Sequence, residues 1–332
     1  MRSSTPLPPM SRRDFSSRPS EPATGGPTVG DIVRWAGREL EAAGIAEAAL
    51  EASILAAHAL GCRRTDVYLR FGEAMDPGSL EMLKAMVGRR RKREPLQYII
   101  GIQEFMSLEF QVDRRVLIPR ADTEVLVETA IDYLKSIARA ASGVMGGSRD
   151  GPSIFVDVGT GSGCIAVSIA KYCENVVGWA TDMSARALEV AMANAVRHGV
   201  ADRLTFSCGD LLEPLKGFGM EGKISLVVSN PPYIDPRTRE SLQPEVGVYE
   251  PEEALYCSDI VGLYSRLADQ AAPYLVEGGM IAVEVGDETA TVVKDVFASR
   301  GSYVGASIVL DYGGRARVVR AVKRDAAGSG RR

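Results

Sequence analysis

The tetrapeptide Asn230-Pro231-Pro232-Tyr233 is the most specific chemical feature of this 332-residue sequence. The Asn230 side-chain oxygen and the Pro231 backbone carbonyl can both accept hydrogen bonds from one NH2 group. Such acceptors would aim the delocalised lone pair of an amide or aromatic amine at an electrophile. The prolines make this acceptor pair rigid, and Tyr233 offers an aromatic face to a planar group. Taken alone, the tetrapeptide could also be a diproline turn after a strand.

A glycine-rich segment, DVGTGSG at residues 157–163, lies where a predicted strand turns into a helix. Glycines there let the backbone approach a ligand closely and supply amide groups at a helix N-terminus. Residues 161–166 also satisfy the G-x-G-x-x-A dinucleotide fingerprint, so a nicotinamide-dependent oxidoreductase is an alternative. The candidate cofactor-binding residues of this segment are Asp157, Gly159, Thr160, Gly161, Ser162 and Gly163.

Acidic residues at the ends of three predicted strands favour S-adenosylmethionine over a dinucleotide. The Asp157 carboxylate would suit the methionine ammonium and would repel a pyrophosphate. Asp182 can accept hydrogen bonds from both ribose hydroxyls. Asp210 and Leu211 would flank the adenine, and Asn230 would border the same cofactor. Each acid could merely cap a helix, but the ordered set predicts an S-adenosylmethionine pocket beside the tetrapeptide.

The elements that must position these residues alternate between strand and helix from Ser153 onward. This alternation is typical of a doubly wound, Rossmann-like α/β sheet, in which ligands bind outside the carboxyl ends of the strands. The last two strands, 303–312 and 316–323, are joined too briefly for a helical crossover and should pair antiparallel. A terminal antiparallel hairpin is the class I methyltransferase variant of this fold class.

The part before this sheet is predicted to be a small all-helical domain. Thr28 with Asp31 is a capping-box-like helix start, and Asp76-Pro77 is a second start. The basic run at 89–93 is interpreted as a solvated helix terminus, with a docking surface for an acidic partner as the alternative. The predicted organisation is a disordered tail (1–27), a helical domain (28–93), a β-hairpin linker (94–118), a methyltransferase domain (119–323) and a second disordered tail (324–332). The methyltransferase domain includes a glycine- and serine-rich loop at 141–153.

Composition restricts the function classes. The formal net charge of -4 argues against a protein that mainly neutralises nucleic-acid phosphates. Five cysteines without a C-x-x-C pair suggest neither a disulfide framework nor a metal site, and His58 and His198 are interpreted as packing or helix-end residues. No apolar run has the length of a membrane span, so we expect a cytoplasmic monomer without membrane or stable nucleic-acid partners. An organellar matrix or stroma is the alternative if residues 1–27 are a transit peptide.

The sequence resembles the release factor glutamine N5-methyltransferases, the HemK/PrmC family, from about residue 28 to 323. The motifs that carry the resemblance are EPLQYIIG at 94–101, VLIPRADTE at 116–124, DVGTGSG at 157–163, SNPPYI at 229–234 and EPEEAL at 250–255. One departure is Ala121, which stands where the family usually has a second proline. The substitution loosens that loop but removes no polar group.

The resemblance implies an S-adenosylmethionine-dependent enzyme whose helical N-terminal domain grips class-1 peptide chain release factors. It implies that the enzyme methylates the side-chain amide nitrogen of the glutamine in the Gly-Gly-Gln motif. This glutamine would be held by Asn230, Pro231, Pro232 and Tyr233. Glu245, Glu250 and Pro251 would line the entrance. The alternatives are an N6-adenine or other nucleic-acid amino-methyltransferase, which would need a basic reading domain, and a non-catalytic module that binds release factors or ribosomes.

Overall fold

The computed structural model describes residues 26–142 and 151–325. The predicted tails lie outside the described residues, except for residues 26, 27, 324 and 325. Residues 143–150 of the predicted loop at 141–153 also lie outside them. The chain divides into two compact units, one up to Arg91 and one from Lys92 onward. No helix of the described ranges is long and apolar enough to cross a membrane.

The first unit is helical, as predicted. The Thr28 hydroxyl accepts a hydrogen bond from the Asp31 backbone amide, while the Asp31 carboxylate accepts one from the Thr28 amide, so the predicted capping box is present. The Asp76 carboxylate caps the last helix by accepting from the Ser79 amide. The helices of this unit are α1 (Val29–Ala42), α2 (Ala48–Leu60), α3 (Arg64–Leu69) and α4 (Pro77–Arg90).

The basic run at the end of α4 differs from its predicted solvated state. Arg90 is buried, and its Nε donates to the Glu51 carboxylate on α2 at 2.6 Å. Arg91 pairs with Glu39 of α1 at 2.9 Å. The prediction was therefore wrong for Arg90, because α4 packs against α2 and brings this guanidinium onto a buried carboxylate.

The second unit begins with the predicted hairpin, which is shorter than the sequence suggested. Strands β1 (Ile102–Phe105) and β2 (Leu108–Gln111) pair antiparallel. Residues 96–100, expected to be part of this β-structure, form the short helix α5 (Leu96–Ile100) instead. Pro95 precedes the helix and Gly101, with φ of 78°, ends it in the left-handed conformation that glycine tolerates. The segment predicted as a hairpin therefore contains a short helix followed by two short strands.

The main sheet of the second unit has seven strands in the order β5-β4-β3-β6-β7-β9-β8. Strands β3 to β7 are parallel to one another, and β9 is antiparallel to β7. The last two strands, β8 and β9, pair antiparallel, as predicted. The strands are β3 (Ser153–Val158), β4 (Val176–Asp182), β5 (Leu204–Cys208), β6 (Ile224–Ser229), β7 (Leu275–Glu284), β8 (Tyr303–Leu310) and β9 (Ala316–Lys323).

Helices cover both faces of this sheet, because side chains along each strand alternate between two apolar clusters. Along β7, for example, Met280 and Ala282 belong to one cluster while Ile281 and Val283 belong to the other. The helices of this unit after α5 are α6 (Glu124–Ser142), α7 (Cys164–Tyr172), α8 (Ala185–Arg197), α9 (Pro244–Tyr249), α10 (Glu252–Leu255), α11 (Ile260–Ala271) and α12 (Ala290–Ala298).

Several element boundaries differ from the sequence prediction. The helix expected to run through residue 276 ends at Ala271, and β7 begins at Leu275, because Pro273 cannot continue the helix. The strand expected to reach Asp210 ends at Cys208. Asp210 therefore lies in the loop after β5, still at the carboxyl edge of the parallel strands.

Candidate active site

A cavity of about 240 Å³ opens at the carboxyl ends of the parallel strands. Of the sequence-predicted site residues, three do not line it, namely Asp157, Gly163 and Tyr233. Those that line it are Gly159, Thr160, Gly161, Ser162, Asp182, Asp210, Leu211, Asn230, Pro231 and Pro232. The structure therefore brings the glycine-rich segment and the tetrapeptide to one cavity, as the sequence analysis expected.

The glycine loop between β3 and α7 is fixed by backbone hydrogen bonds to the end of β4. The Gly159 and Thr160 amides donate to the Thr181 carbonyl at 2.8 and 2.9 Å, and the Gly161 amide donates to Asp182 Oδ2 at 2.8 Å. Gly161 has φ of 55°, a conformation that residues with a Cβ rarely adopt. Glycine is therefore required there to bring the loop backbone close to the cavity.

Asp157 supports this loop and is not among the residues that line the cavity. Its carboxylate is fully buried, and its Oδ2 atom accepts hydrogen bonds from the Thr160 hydroxyl at 2.6 Å and the Ala166 amide at 3.1 Å. Its Oδ1 atom has no hydrogen-bond partner among the described residues. Burial raises the pKa of this carboxyl to about 7. The expected contact with a ligand ammonium stays a prediction.

Asp182, at the end of β4, is the acid best placed for a ribose. Its two oxygens accept from the Gly161 and Ser184 amides, which fixes the carboxylate at the cavity wall. A carboxylate has about four lone-pair directions, so acceptor capacity remains for two hydroxyls. Burial raises the Asp182 pKa, while the two backbone hydrogen bonds oppose that shift.

Asp210 and Leu211 form the next part of the wall. Leu211 has φ of 49°, and its carbonyl accepts from the Thr181 hydroxyl, which holds the loop after β5 against β4. The Asp210 Oδ2 atom is paired with Arg266 of α11, a lining residue that the sequence analysis did not single out. The Oδ1 atom of Asp210 is then the oxygen left for a ligand donor.

The tetrapeptide begins directly after β6, beside the glycine loop. Ser229, the last residue of β6, pairs with Val158 across the sheet and donates its hydroxyl to the Val158 carbonyl at 2.7 Å. The Asn230 Nδ2 atom donates to the Thr123 hydroxyl at 3.2 Å. Thr123 also lines the cavity and ends the turn that precedes α6. The Asn230 amide is therefore held through its NH2 group.

Tyr233 is not among the residues that line the cavity. Its hydroxyl donates to Glu284 Oε1 at 3.1 Å, and its ring lies beside Gly286. Glu284, the last residue of β7, is buried, and burial raises the pKa of its carboxyl. Burial and the neighbouring Glu284 charge also raise the Tyr233 pKa, so this phenol stays protonated at neutral pH. The predicted stacking of Tyr233 on a substrate stays a prediction.

The segment after the tetrapeptide contributes ion pairs and three lining residues, Pro251, Glu253 and Ala254. Glu250 is buried and pairs with Arg120, which lines the cavity, at 2.5 Å. Burial raises the Glu250 pKa and the Arg120 charge lowers it. Glu245 pairs with Arg93 at 2.9 Å. Of the three residues expected at an entrance, only Pro251 lines the cavity.

The histidines and cysteines take no part in the cavity, apart from Cys164 at its wall. His58 lies in the last turn of α2, and His198 follows the last residue of α8, where its Nε2 is 2.8 Å from the Glu109 carbonyl. All five cysteines are free thiols. Within residues 26–142 and 151–325, no cluster of three histidine, cysteine or acidic residues is arranged to hold a metal ion.

The sequence did not indicate four residues of the site. Arg120, Thr123 and Arg266 line the cavity, and Glu284 holds the Tyr233 hydroxyl. Thr123 and Arg120 lie within the quoted motif at 116–124, but nothing local indicated their partners. Glu284 did carry a signal, because it is an acid within the apolar strand sequence GMIAVEVG. A buried carboxylate in such a strand needs a polar partner.

The comparisons with known proteins agree with this geometry. Residues 31–101 match the family described as PrmC N-terminal domain, and residues 150–244 match the methyltransferase small domain. The release factor glutamine methyltransferase of Geobacter sulfurreducens is 40% identical over 275 residues, which cover 82% of this chain and 89% of that protein. This chain belongs to the release factor glutamine methyltransferase family. A second member, from Moorella thermoacetica, is 37% identical over 87% of this chain and 96% of its own length.

As a member of this family, the chain is an S-adenosylmethionine-dependent methyltransferase, and the residues of the cavity fit that cofactor. The fixed Asp182 carboxylate suits a ribose diol, and the apolar Leu211 beside Asp210 suits a purine. The glycine loop from Gly159 to Ser162 lines the same cavity, so its backbone groups can bind a polar amino-acid tail. The donor set therefore matches a nucleoside with an amino-acid tail.

Proposed function

We propose that this enzyme transfers the methyl group of S-adenosylmethionine to the side-chain amide nitrogen of the glutamine in the Gly-Gly-Gln motif of class-1 peptide chain release factors. The observation that carries the proposal is the anchored Asn230 amide. Its NH2 group is bound to Thr123, so its oxygen is the atom available to a substrate NH2 group in the cavity.

Asn230 and Pro231 bind and orient the glutamine amide. The Asn230 oxygen and the Pro231 carbonyl each accept one hydrogen of the substrate NH2 group, which fixes the nitrogen and increases its electron density. Pro232 keeps the loop rigid, and Tyr233 completes the tetrapeptide. The amide nitrogen becomes acidic as it is alkylated and loses its proton afterwards, so no strong base is required.

Bound S-adenosylmethionine supplies an electrophilic methyl group on its sulfonium. We assign Asp182 to its ribose hydroxyls, Asp210 and Leu211 to the adenine, and the loop Gly159 to Gly163 to close backbone contact. Asn230 borders both the cofactor and the acceptor. The assignment is supported by the ends of β3 and β4, where the glycine loop after β3 is hydrogen-bonded to β4.

A Gly-Gly-Gln acceptor suits this site because two glycines give a thin backbone that can enter a narrow opening. We assign the helical unit to binding the release factor body. A nucleic-acid acceptor is less well supported, since Arg90, Arg91 and Arg93 of the basic run are all ion-paired with carboxylates. Free thiols at all five cysteines are consistent with action in the cytoplasm, and we take the enzyme to act as a monomer.

The test is methyl transfer from isotopically labelled S-adenosylmethionine to an unmodified class-1 release factor, mapped by peptide mass spectrometry. A second release factor, with the Gly-Gly-Gln glutamine changed to glutamate, lacks the acceptor nitrogen. We expect one methyl group on that glutamine and none on the glutamate variant. Absence of methylation by an enzyme that binds the cofactor would overturn the proposed acceptor, and label on added RNA or DNA would favour the nucleic-acid alternative.

A further inference from the structure

The side of the cavity that the tetrapeptide forms is poor in backbone N–H donors, because prolines line it. Two of these prolines, Pro231 and Pro232, belong to the tetrapeptide. The other two, Pro119 and Pro251, are sequence neighbours of Arg120 and Glu250, which form an ion pair. A proline has no backbone N–H group. A substrate group that accepts hydrogen bonds therefore needs a side-chain donor on this side of the cavity.

The acceptor glutamine carries such a group, namely the carbonyl oxygen of its side-chain amide. This oxygen is bonded to the same carbon atom as the nitrogen, so it enters the cavity together with the nitrogen. Amide resonance places negative charge on it, and a buried carbonyl oxygen without a donor weakens binding. The Asn230 oxygen and the Pro231 carbonyl cannot serve, because both are acceptors only.

Most of the polar side chains that line the cavity are engaged elsewhere. Four of them donate to protein groups: Arg115 to Asp113 and Glu189, Thr160 to Asp157, Ser229 to the Val158 carbonyl, and Arg266 to Asp210. Ser162 lies in the glycine loop and Ser184 caps α8, so both belong to the cofactor side. The Thr123 hydroxyl holds the NH2 group of Asn230, whose oxygen faces the substrate on the other side of that amide.

Arg120 is the lining cation that retains free donors. Its Nη2 atom donates to Glu250 Oε1 at 2.5 Å, and its guanidinium makes no other hydrogen bond with the described residues. The Glu250 side chain is 1% exposed, whereas the Arg120 side chain is 38% exposed. The Arg120 carbonyl accepts from the Thr123 amide at 3.0 Å, so Arg120 lies one turn before the residue that holds Asn230. A guanidinium has five N–H donors in one plane, so most of them remain available to a ligand.

We propose that Arg120 is a substrate-binding residue whose guanidinium donates a hydrogen bond to the side-chain carbonyl oxygen of the acceptor glutamine. Glu250 holds the guanidinium in place from the protein interior. The site then recognises both ends of the amide, because the oxygen faces a cation while the NH2 group faces the Asn230 and Pro231 oxygens. This inference rests on the proposed function, which places a glutamine amide in the cavity.

The proposed bond has a kinetic signature that differs from that of Asn230. When the amide nitrogen attacks the methyl group, its lone pair is withdrawn from resonance and negative charge leaves the carbonyl oxygen. The bond to Arg120 is therefore no stronger in the transition state than in the bound substrate. Such an interaction lowers KM without raising kcat. Loss of Arg120 should raise KM, whereas a residue that merely supports the position of Asn230 would lower kcat when removed.

The test variant is Arg120→Met/Glu250→Gln, which removes the donor without leaving an unpaired buried charge. The matched control is Arg300→Met/Asp269→Asn, which removes an ion pair of 2.6 Å between residues that do not line the cavity. With a release factor as substrate, we expect the test variant to raise KM roughly tenfold or more while kcat stays within about threefold. The control should keep both constants within about twofold of wild type. An unchanged KM in the test variant, or a fall in kcat alone, would overturn the inference.

A readout independent of turnover is the ¹³C signal of the glutamine side-chain carbonyl in a labelled Gly-Gly-Gln peptide. The peptide is bound to saturating enzyme with S-adenosylhomocysteine. We expect a downfield shift with wild type and with the control, and a clearly smaller shift with Arg120→Met/Glu250→Gln. Equal shifts in all three proteins would contradict the inference. A shift that is lost in Thr123→Val but kept in the Arg120 variant would assign the bond to Thr123 instead.

Failure of this inference is distinguishable from failure of the proposed function. If wild type methylates no release factor glutamine, the proposed function fails and the role of Arg120 fails with it. If wild type methylates the glutamine and the Arg120 variant has the wild-type KM and carbonyl shift, only the role of Arg120 fails.

Discussion

The glycine-loop wall of the cavity is fixed by backbone hydrogen bonds, whereas the tetrapeptide wall is fixed by side chains from distant segments. On the first wall, the Gly159 and Thr160 amides bond to β4, and Asp157 binds the loop that follows it. On the second wall, Thr123 reaches Asn230 across 107 residues of sequence, and Glu284 reaches Tyr233 across 51. Substitutions should therefore affect cofactor binding on one wall and acceptor orientation on the other.

The largest effect is expected for Asn230→Ala on the acceptor wall. We expect kcat to fall roughly a hundredfold or more, because a preorganised hydrogen-bonding group is lost, while cofactor Kd changes much less. The control is Asn175→Ala, an exposed asparagine just before β4 at the opposite edge of the sheet. Steady-state kinetics with a release factor substrate checks this, and equal losses in both variants would remove Asn230 from the site.

Gly161→Val tests the cofactor wall. A β-branched residue at φ of 55° is strained, and its side chain would occupy the space beside the ligand. We expect cofactor Kd to rise roughly tenfold or more, with about 1–2 kcal/mol of lost stability. Gly217→Val is the control, because Gly217 has φ of 84° but lies away from the cavity. It should lose similar stability and bind cofactor normally in calorimetric titrations.

Arg120→Met tests whether the acceptor wall depends on the ion pair between Arg120 and the buried Glu250 carboxylate. The change leaves this carboxylate buried without its cation. It should destabilise the fold by roughly 2 kcal/mol at neutral pH, less than for a fully buried pair because the Arg120 side chain is 38% exposed. The Glu250 pKa would rise further, so the loss should shrink as the pH is lowered and the carboxyl is protonated. Denaturant titrations check this. The double variant Arg120→Met/Glu250→Gln should recover most of the loss, and no recovery would contradict a charge effect.

Asp157→Asn should have the smallest effect on turnover, because Asp157 supports the loop and is not among the residues that line the cavity. The folded protein holds a proton on Asp157 up to about pH 7, whereas the unfolded chain releases it near pH ~4. Stability should therefore fall as the pH rises between these values, by up to roughly 1.4 kcal/mol per pH unit from this group. Asp157→Asn should remove that part of the slope, and an unchanged slope would contradict the burial effect.

The contrast between the walls also explains what the sequence could predict. The glycine loop, the strand-end acids and the terminal antiparallel strands follow from short-range patterns, and the structure contains all of them. Strand-end position did not reveal that the Asp157 carboxylate is fully buried and binds Thr160 and Ala166. Thr123 and Glu284 were missed because their partners lie far away in sequence, and only the packing of β6 beside β7 and the turn before α6 brings them together.

Contact between Asn230 and the acceptor nitrogen is the central requirement of the proposed reaction. We would titrate a Gly-Gly-Gln peptide, with ¹⁵N in its glutamine side chain, with the enzyme and S-adenosylhomocysteine, and follow the side-chain NH2 signals by NMR. We expect a large downfield shift of both NH2 protons with wild type that is lost with Asn230→Ala and kept with Asn175→Ala. The same shift with Asn230→Ala would contradict a contact between Asn230 and the acceptor nitrogen.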